Sequence, residues 1–214
     1  LIYKALASVY GEDKVFVGGN IGKPLLPELD RMTEDCFAVL ELSSFQLQTM
    51  KMSPDISLIT NISPNHLDYH KSMEEYIEAK KNIYLHAKPG SRLVLNGRNK
   101  ITSGLGGDAP SGVEVVKFVS GDVEVHDGYI CRRGEKVLKV DDILIPGNHN
   151  VENYMGVIAV LSGLSALLMC IIQNKINVLQ IEQNKLSQWG MTVFMVAFST
   201  FFAFIVPAGV GLYW

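Results

Sequence analysis

The chain has 214 residues, enough for one or two domains, with 19 basic and 22 acidic side chains and a formal net charge of −3. Its basic residues are scattered and outnumbered, which excludes a nucleic-acid surface, and no signal peptide opens it. Cys36, Cys131 and Cys170 are an odd set without metal-ligand spacing, as expected in a reducing cytosol.

Leu1 to Tyr10 carries Leu1, Ala5, Leu6 and Val9 at helical spacing and stops at Gly11, which suits a helix C-cap. Gly18-Gly-Asn-Ile-Gly22-Lys23 contains a Gly-Lys pair. Its glycines are too close, however, and Pro24 stands where a phosphate loop needs Ser or Thr. Phe37-Ala-Val-Leu-Glu41 reads as a strand ending in a carboxylate, and Ser43 behind it can start a helix. Ile56-Ser-Leu-Ile-Thr60 is a second strand, ending shortly before His66. Ser72 to Ala87 reads as a helix with Ser72 as N-cap and Glu75 closing a capping box. Lys80 sits in its apolar stripe while Lys81 takes the solvent side, an arrangement that usually means a snorkelling lysine.

Arg92 to Asn96 and Val113 to Val119 are further strands, and Gly104 to Gly112 between them reads as a glycine-rich surface loop. Asp122 to Val140 alternates around Asp127-Gly128 and Arg133-Gly134, the signature of two small hairpins. Gly147-Asn-His-Asn150 opens a helix in which Asn150 and Asn153 share a face.

In an open α/β sheet, ligands collect at the carboxyl ends of strands. Glu41 and His66 close two such strands and are placed to share a hard cation with its phosphate ligands. The same residues also read as a capping Ser43, a solvated Glu41 and a loop histidine.

Three stretches carry a resemblance: Glu41-Leu-Ser-Ser-Phe-Gln-Leu47, Asn61-Ile-Ser-Pro-Asn-His66-Leu-Asp68 and Tyr76-Ile-Glu-Ala-Lys80. Gly18 to Gly22 and Gly147-Asn-His-Asn-Val-Glu-Asn153 flank them in order. Together they resemble the central, ATP-binding domain of the Mur ligase family over roughly residues 1–156. The nearest branch is the one that adds D-glutamate to UDP-N-acetylmuramoyl-L-alanine. The resemblance implies an α/β domain with a mostly parallel sheet and flanking helices, using ATP and Mg2+. It implies Glu41 and His66 as magnesium ligands, with Lys80 bearing a carbamate that helps hold a second magnesium. It further places Asn20, Ser43 and Gln46 at the nucleotide sugar, Asn20 also towards the phosphates, and Asn150 and Asn153 near ATP. Asn148 or Asn150 could equally just cap the helix. The family's Gly-Lys-Thr phosphate loop precedes the first helix and is not found here, so the chain as given is expected to be a catalytically silent part of such an enzyme.

The residue types change near Gly156. Of the 41 charged side chains only Lys175, Glu182 and Lys185 lie beyond it. Val157 to Ile172 is uncharged, and so is Met191 to Trp214, whose 24 residues would span about 36 Å as a helix. The expectation is a second segment, residues 157–214, with two transmembrane-like helices at 157–172 and 191–214 and a membrane as partner. Leu161-Ser-Gly-Leu164 and Pro207 to Trp214 resemble the last helices of the YidC/Oxa membrane insertases. On that reading the chain joins two partial genes, with a cytoplasmic first part and a membrane-associated tail.

Overall fold

The structure, a computed structural model, describes residues 1–64 and 69–180, the last fifteen of them as backbone only. Leu1–Leu167 form one compact unit and Leu168–Trp214 a second.

The first unit is α/β. Helix α1 (Ile2–Tyr10) leads into β1 (Val15–Gly19), a 3-10 turn at Leu26–Arg31, and β2 (Phe37–Glu41). The short α2 (Ser44–Leu47) precedes β3 (Ile56–Ile59), α3 (Met73–Leu85) and β4 (Arg92–Asn96). After a 3-10 segment at Thr102–Asp108 come β5 (Glu114–Phe118), β6 (Val123–His126), β7 (Tyr129–Arg132) and β8 (Glu135–Lys139). A last 3-10 turn, Val140–Asp142, leads to α4 (Asn148–Gln180). β1 and β2 pair in parallel, as do β3, β4 and β5 in that order. β6, β7 and β8 continue the second sheet as an antiparallel meander. The two expected hairpins have the turns their residues call for: Asp127 and Arg133 take φ of 49° and 48°, each followed by a left-handed glycine, the type I′ pattern.

β4 sits at the centre of the core, and all five of its residues are buried. Alternation sends Leu93 and Leu95 to one face, where Ile59, Ile62, Tyr76, Tyr84 and Leu105 meet them. Val94 faces the other way, into a cluster with Val116, Phe118, Val123, Ile130, Met155, Ala159 and Val160. A strand covered on both faces has to be apolar throughout its middle, and Leu-Val-Leu is.

Three expectations change here. Gly104 to Gly112 is not a simple surface loop: Leu105 is buried and its carbonyl accepts the Tyr84 hydroxyl at 3.1 Å. Ser72 caps α3 by accepting the Glu75 N–H, but the Glu75 carboxylate reaches past it to the N–H of Lys71 at 2.7 Å. The change of residue type at Gly156 does not interrupt the helix, because α4 runs through it. Ala159 and Val160 belong to the sheet-facing core, and Gly156 lies against Leu58 and Phe118. A side chain at Gly163 would collide with Arg92. Positions 156, 159 and 163 are spaced to lie on one helix face, and their small size lets that face sit close on the sheet. The start of the expected first membrane helix is therefore core of the α/β unit. Among the described residues no helix is long and apolar enough to cross a membrane. Met191 to Trp214 lies outside those residues.

Tyr84 is fully buried, and burial pushes its phenol up to about 12. Removing its hydroxyl takes away the hydrogen bond to the Leu105 carbonyl, so Tyr84→Phe is expected to lower unfolding stability by about 0.5–1.5 kcal/mol. The check is the urea midpoint at an unchanged m-value.

Candidate functional site

The carboxyl ends of β1 and β2 are joined by their backbones. Gly19 stands opposite Glu41 in the parallel register, and the Asn20 N–H donates to the Glu41 carbonyl at 2.6 Å. Gly19 has φ 105°, and a Cβ there would collide with that same carbonyl. Both facts demand glycine. Asn20 is thus tied beside Glu41 through the main chain, with both residues exposed.

Ser43 behaves as its local reading predicts. Its Oγ accepts the Gln46 N–H at 3.3 Å, and the Gln46 side-chain oxygen accepts the Ser43 N–H at 2.9 Å and its hydroxyl at 3.0 Å. This reciprocal cap satisfies the donors that a four-residue helix would otherwise leave bare.

Lys80 reaches back from α3 to the same turn. Its Nζ donates to the Leu42 carbonyl at 3.3 Å and lies 5.9 Å from the centre of the Tyr76 ring. Burial pushes the amine below the usual lysine range, while the Glu41 carboxylate acts against that shift. Its neighbour does the reverse: Lys81 bridges Glu78 and Asp108, and those hydrogen bonds raise its pKa. One turn of helix therefore carries two lysines whose pKa values are pushed in opposite directions. His66 falls within 65–68, outside the described residues.

A second group lies at the carboxyl ends of β3 and β4, around a polar cavity of about 240 Å3. Thr60, Asn61, Asn96, Arg98, Asn99, His149, Glu152 and Asn153 line it. Buried Asn96 organises it, donating to the Thr60 carbonyl and the Glu152 carboxylate, both at 3.0 Å. Its own oxygen accepts the N–H groups of Arg98 and Asn99. Arg98 and Glu152 form an ion pair at 3.1 Å across the rim. Of the two asparagines singled out on α4, Asn153 lines the cavity, while Asn150 donates to the Pro146 carbonyl at 2.8 Å and closes the helix entry. A cavity with paired amide donors and acceptors suits a neutral, planar, hydrogen-bonding ring. Asn96, Asn99 and Glu152 were not foreseen. The available signal was Asn96 itself, an asparagine ending a strand where ligands gather.

A larger hollow of about 360 Å3 lies between α1, β1 and the turn at 22–31, and holds none of the expected site residues. Among the described residues no three His, Cys, Asp or Glu side chains are grouped to hold a metal. The chemistry of the Glu41 end still fits magnesium in part. Glu41 offers hard carboxylate oxygen, and Lys80 would become an oxygen ligand only after modification of its amine.

Comparison with known proteins places the fold in a family. The family profile described as Mur ligase middle domain matches residues 17–161. The UDP-N-acetylmuramoylalanine–D-glutamate ligase of Clostridium perfringens is 46% identical over 147 residues, covering 66% of this chain and 32% of that protein. The ligase of the same description from Ruminiclostridium cellulolyticum is 44% identical over 169 residues, covering 74% and 35%. The chain spans about a third of the length of these curated relatives. Among solved structures, MurF from Acinetobacter baumannii superposes with a TM-score of 0.54 at 16% identity, over 77% of this chain and 39% of that one. The UDP-N-acetylmuramate:L-alanyl-gamma-D-glutamyl-meso-diaminopimelate ligase from Neisseria meningitides gives 0.54 at 18%, over 76% and 57%. At such identities the structures speak for the fold.

Two outcomes follow from the geometry. Gly19→Ala forces a left-handed alanine into the Glu41 carbonyl and is expected to cost about 1–3 kcal/mol, read from chemical denaturation. For Lys80, the folded pKa lies below the unfolded one, so the unfolded chain binds more protons and wild-type stability rises with pH in that window. The Tm of Lys80→Met minus that of wild type is therefore expected to fall as pH rises from 7 towards the ordinary lysine value of 10.5. A difference independent of pH would contradict the burial of the amine.

Proposed function

The chain belongs to the Mur ligase family, and on that premise we propose that it serves an ATP-dependent carboxylate–amine ligation of peptidoglycan synthesis. The descriptions of the curated relatives point to UDP-N-acetylmuramoyl-L-alanine as the acid and D-glutamate as the amine. The observation that carries this reading is the half-buried Lys80 amine, brought from α3 to the end of β2 beside Glu41.

In the reaction, a substrate carboxylate oxygen attacks the γ-phosphorus of ATP and ADP leaves. The amine of the incoming amino acid then attacks the acyl carbon and phosphate leaves. No protein nucleophile is needed, so the protein's work is positioning and charge neutralisation. Magnesium, when bound, supplies the positive charge that offsets the crowded phosphate oxygens. Glu41 is assigned as a magnesium ligand together with His66. The Lys80 amine, in its unprotonated form, attacks carbon dioxide, forms an N–C bond and releases one proton, leaving an anionic carbamate. That gives α3 two oxygens where it had a cation, and the lowered pKa of Lys80 favours the form that reacts.

Asn153, with Asn96 and Asn99 around the cavity, is assigned to the adenine of ATP, and Asn150 to holding the helix entry that presents it. Asn20, Ser43 and Gln46 are assigned to the nucleotide sugar, Asn20 also facing the phosphates. The reciprocal cap leaves Ser43 and Gln46 adjacent on an exposed turn, where a sugar hydroxyl could replace one of their mutual bonds.

The test places residues 17–161 of this chain in the matching span of the Clostridium perfringens relative and measures acyl-phosphate and amide formation. Turnover is expected with UDP-N-acetylmuramoyl-L-alanine, ATP and D-glutamate, and Glu41→Ala is expected to reduce it by about 100-fold or more. Lys80→Ala is expected to lose activity that added short carboxylic acids partly restore, since they return anionic oxygens to the site. A folded exchange protein that forms no acyl phosphate, or a fully active Lys80→Ala, defeats the assignment.

A further inference from the structure

One buried histidine near Lys80 has no part in the ligase reading. His70 is 1% exposed, and its Nε2 lies 2.9 Å from the hydroxyl of Ser44, itself 1% exposed. Its Nδ1 meets no hydrogen-bond partner among the described residues. The tautomer with its proton on Nε2 donates to Ser44 and leaves only a lone pair unpaired, which costs less than a buried bare N–H. The ring stacks on Phe45, with centroids 5.7 Å apart at 8°, and lies 5.3 Å from the ring of Tyr76. His70 therefore sits between α2, through Ser44 and Phe45, and α3, through Tyr76.

These contacts close a circuit. Tyr76 precedes Lys80 by one helical turn on the same face. Lys80 crosses that ring to donate to Leu42, two residues before Ser44. The far end of α2 is tied separately, because the Asn82 side chain donates to the carbonyls of Leu47 and Gln48. The near end, which follows Glu41, is the one that His70 meets, through Ser44 and Phe45.

We propose that His70 is a positioning residue that holds the turn after β2 against α3, and so keeps the Lys80 amine at the Leu42 carbonyl beside Glu41. The inference rests on Lys80 being the working group of the proposed ligase, but its test does not need turnover. Side-chain reach makes it specific. Glutamine can present an amide N–H near the place of Nε2, whereas asparagine, one methylene shorter, cannot span to Ser44.

The experiment is limited acetylation of the full chain at a single pH, with Lys80 and Lys81 read separately by peptide mass spectrometry. Lys81 is the internal reference, since its ion pairs with Glu78 and Asp108 do not involve His70. His70→Asn and the smaller change Ser44→Ala are expected to raise the Lys80-to-Lys81 labelling ratio several-fold, with His70→Gln staying at the wild-type ratio. An unchanged ratio in His70→Asn overturns the proposal. So does a ratio raised equally in His70→Gln, or a joint rise of both lysines, which reports a loosened helix and a merely structural histidine. NMR of the wild-type chain in 13C-labelled bicarbonate separates the underlying reading: a missing Lys80 carbamate defeats that assignment, while the labelling ratio still decides His70.

Discussion

Burial of β4 on both faces is the constraint from which the rest follows. Leu93, Val94 and Leu95 leave no solvent side, so α3 must cover one face of the sheet and α4 the other. The polar residues at the two ends of the strand are buried as well, and each is obliged to find partners. At the start, Arg92 pairs with Glu114 at 9% side-chain exposure and reaches Ser162 on α4. At the end, Asn96 joins β3, the following turn and α4 through four hydrogen bonds. The polar cavity is the space left around that asparagine, and its existence is a consequence of ending a buried strand on an amide.

The Glu41 end is built on a different principle, close backbone approach. Two glycines allow β1 to turn away directly against β2: Gly18 is crowded by Lys23 and Leu25, and Gly19 by Glu41. The result is an exposed carboxylate and a capped turn. Into it α3 sends an amine whose burial weakens its hold on a proton. Lys80 and Lys81 share a helix turn and a side-chain type, yet their pKa values move in opposite directions. Desolvation dominates at one, and two carboxylates dominate at the other.

Much of the local structure was legible in the residues. Phe37 to Glu41 and Arg92 to Asn96 form strands with the expected ends, Gly11 follows α1, Ser72 caps α3, and the Asp-Gly and Arg-Gly pairs turn the meander. These are decisions between near neighbours: alternation, a cap oxygen, a left-handed glycine. The apolar start at Val157 misled for the same reason. Hydropathy records that a helix face avoids water and is silent on whether a sheet or a lipid covers it, and here Leu58, Val94 and Phe118 do.

By itself, then, the sequence determined most of the strands and helices, though not β1 or the 3-10 segment at Thr102–Asp108, together with the turn chemistry and the short motifs that mark the family. It could also single out Lys80, because a lysine in an apolar stripe is anomalous within one helix. Tertiary structure alone decided that the Lys80 amine meets the turn after Glu41, that Asn153 but not Asn150 lines the cavity, and that His70 is locked to Ser44, 26 residues away. Those outcomes depend on how two buried faces of one strand draw distant helices together, and no periodicity within a single element carries that information.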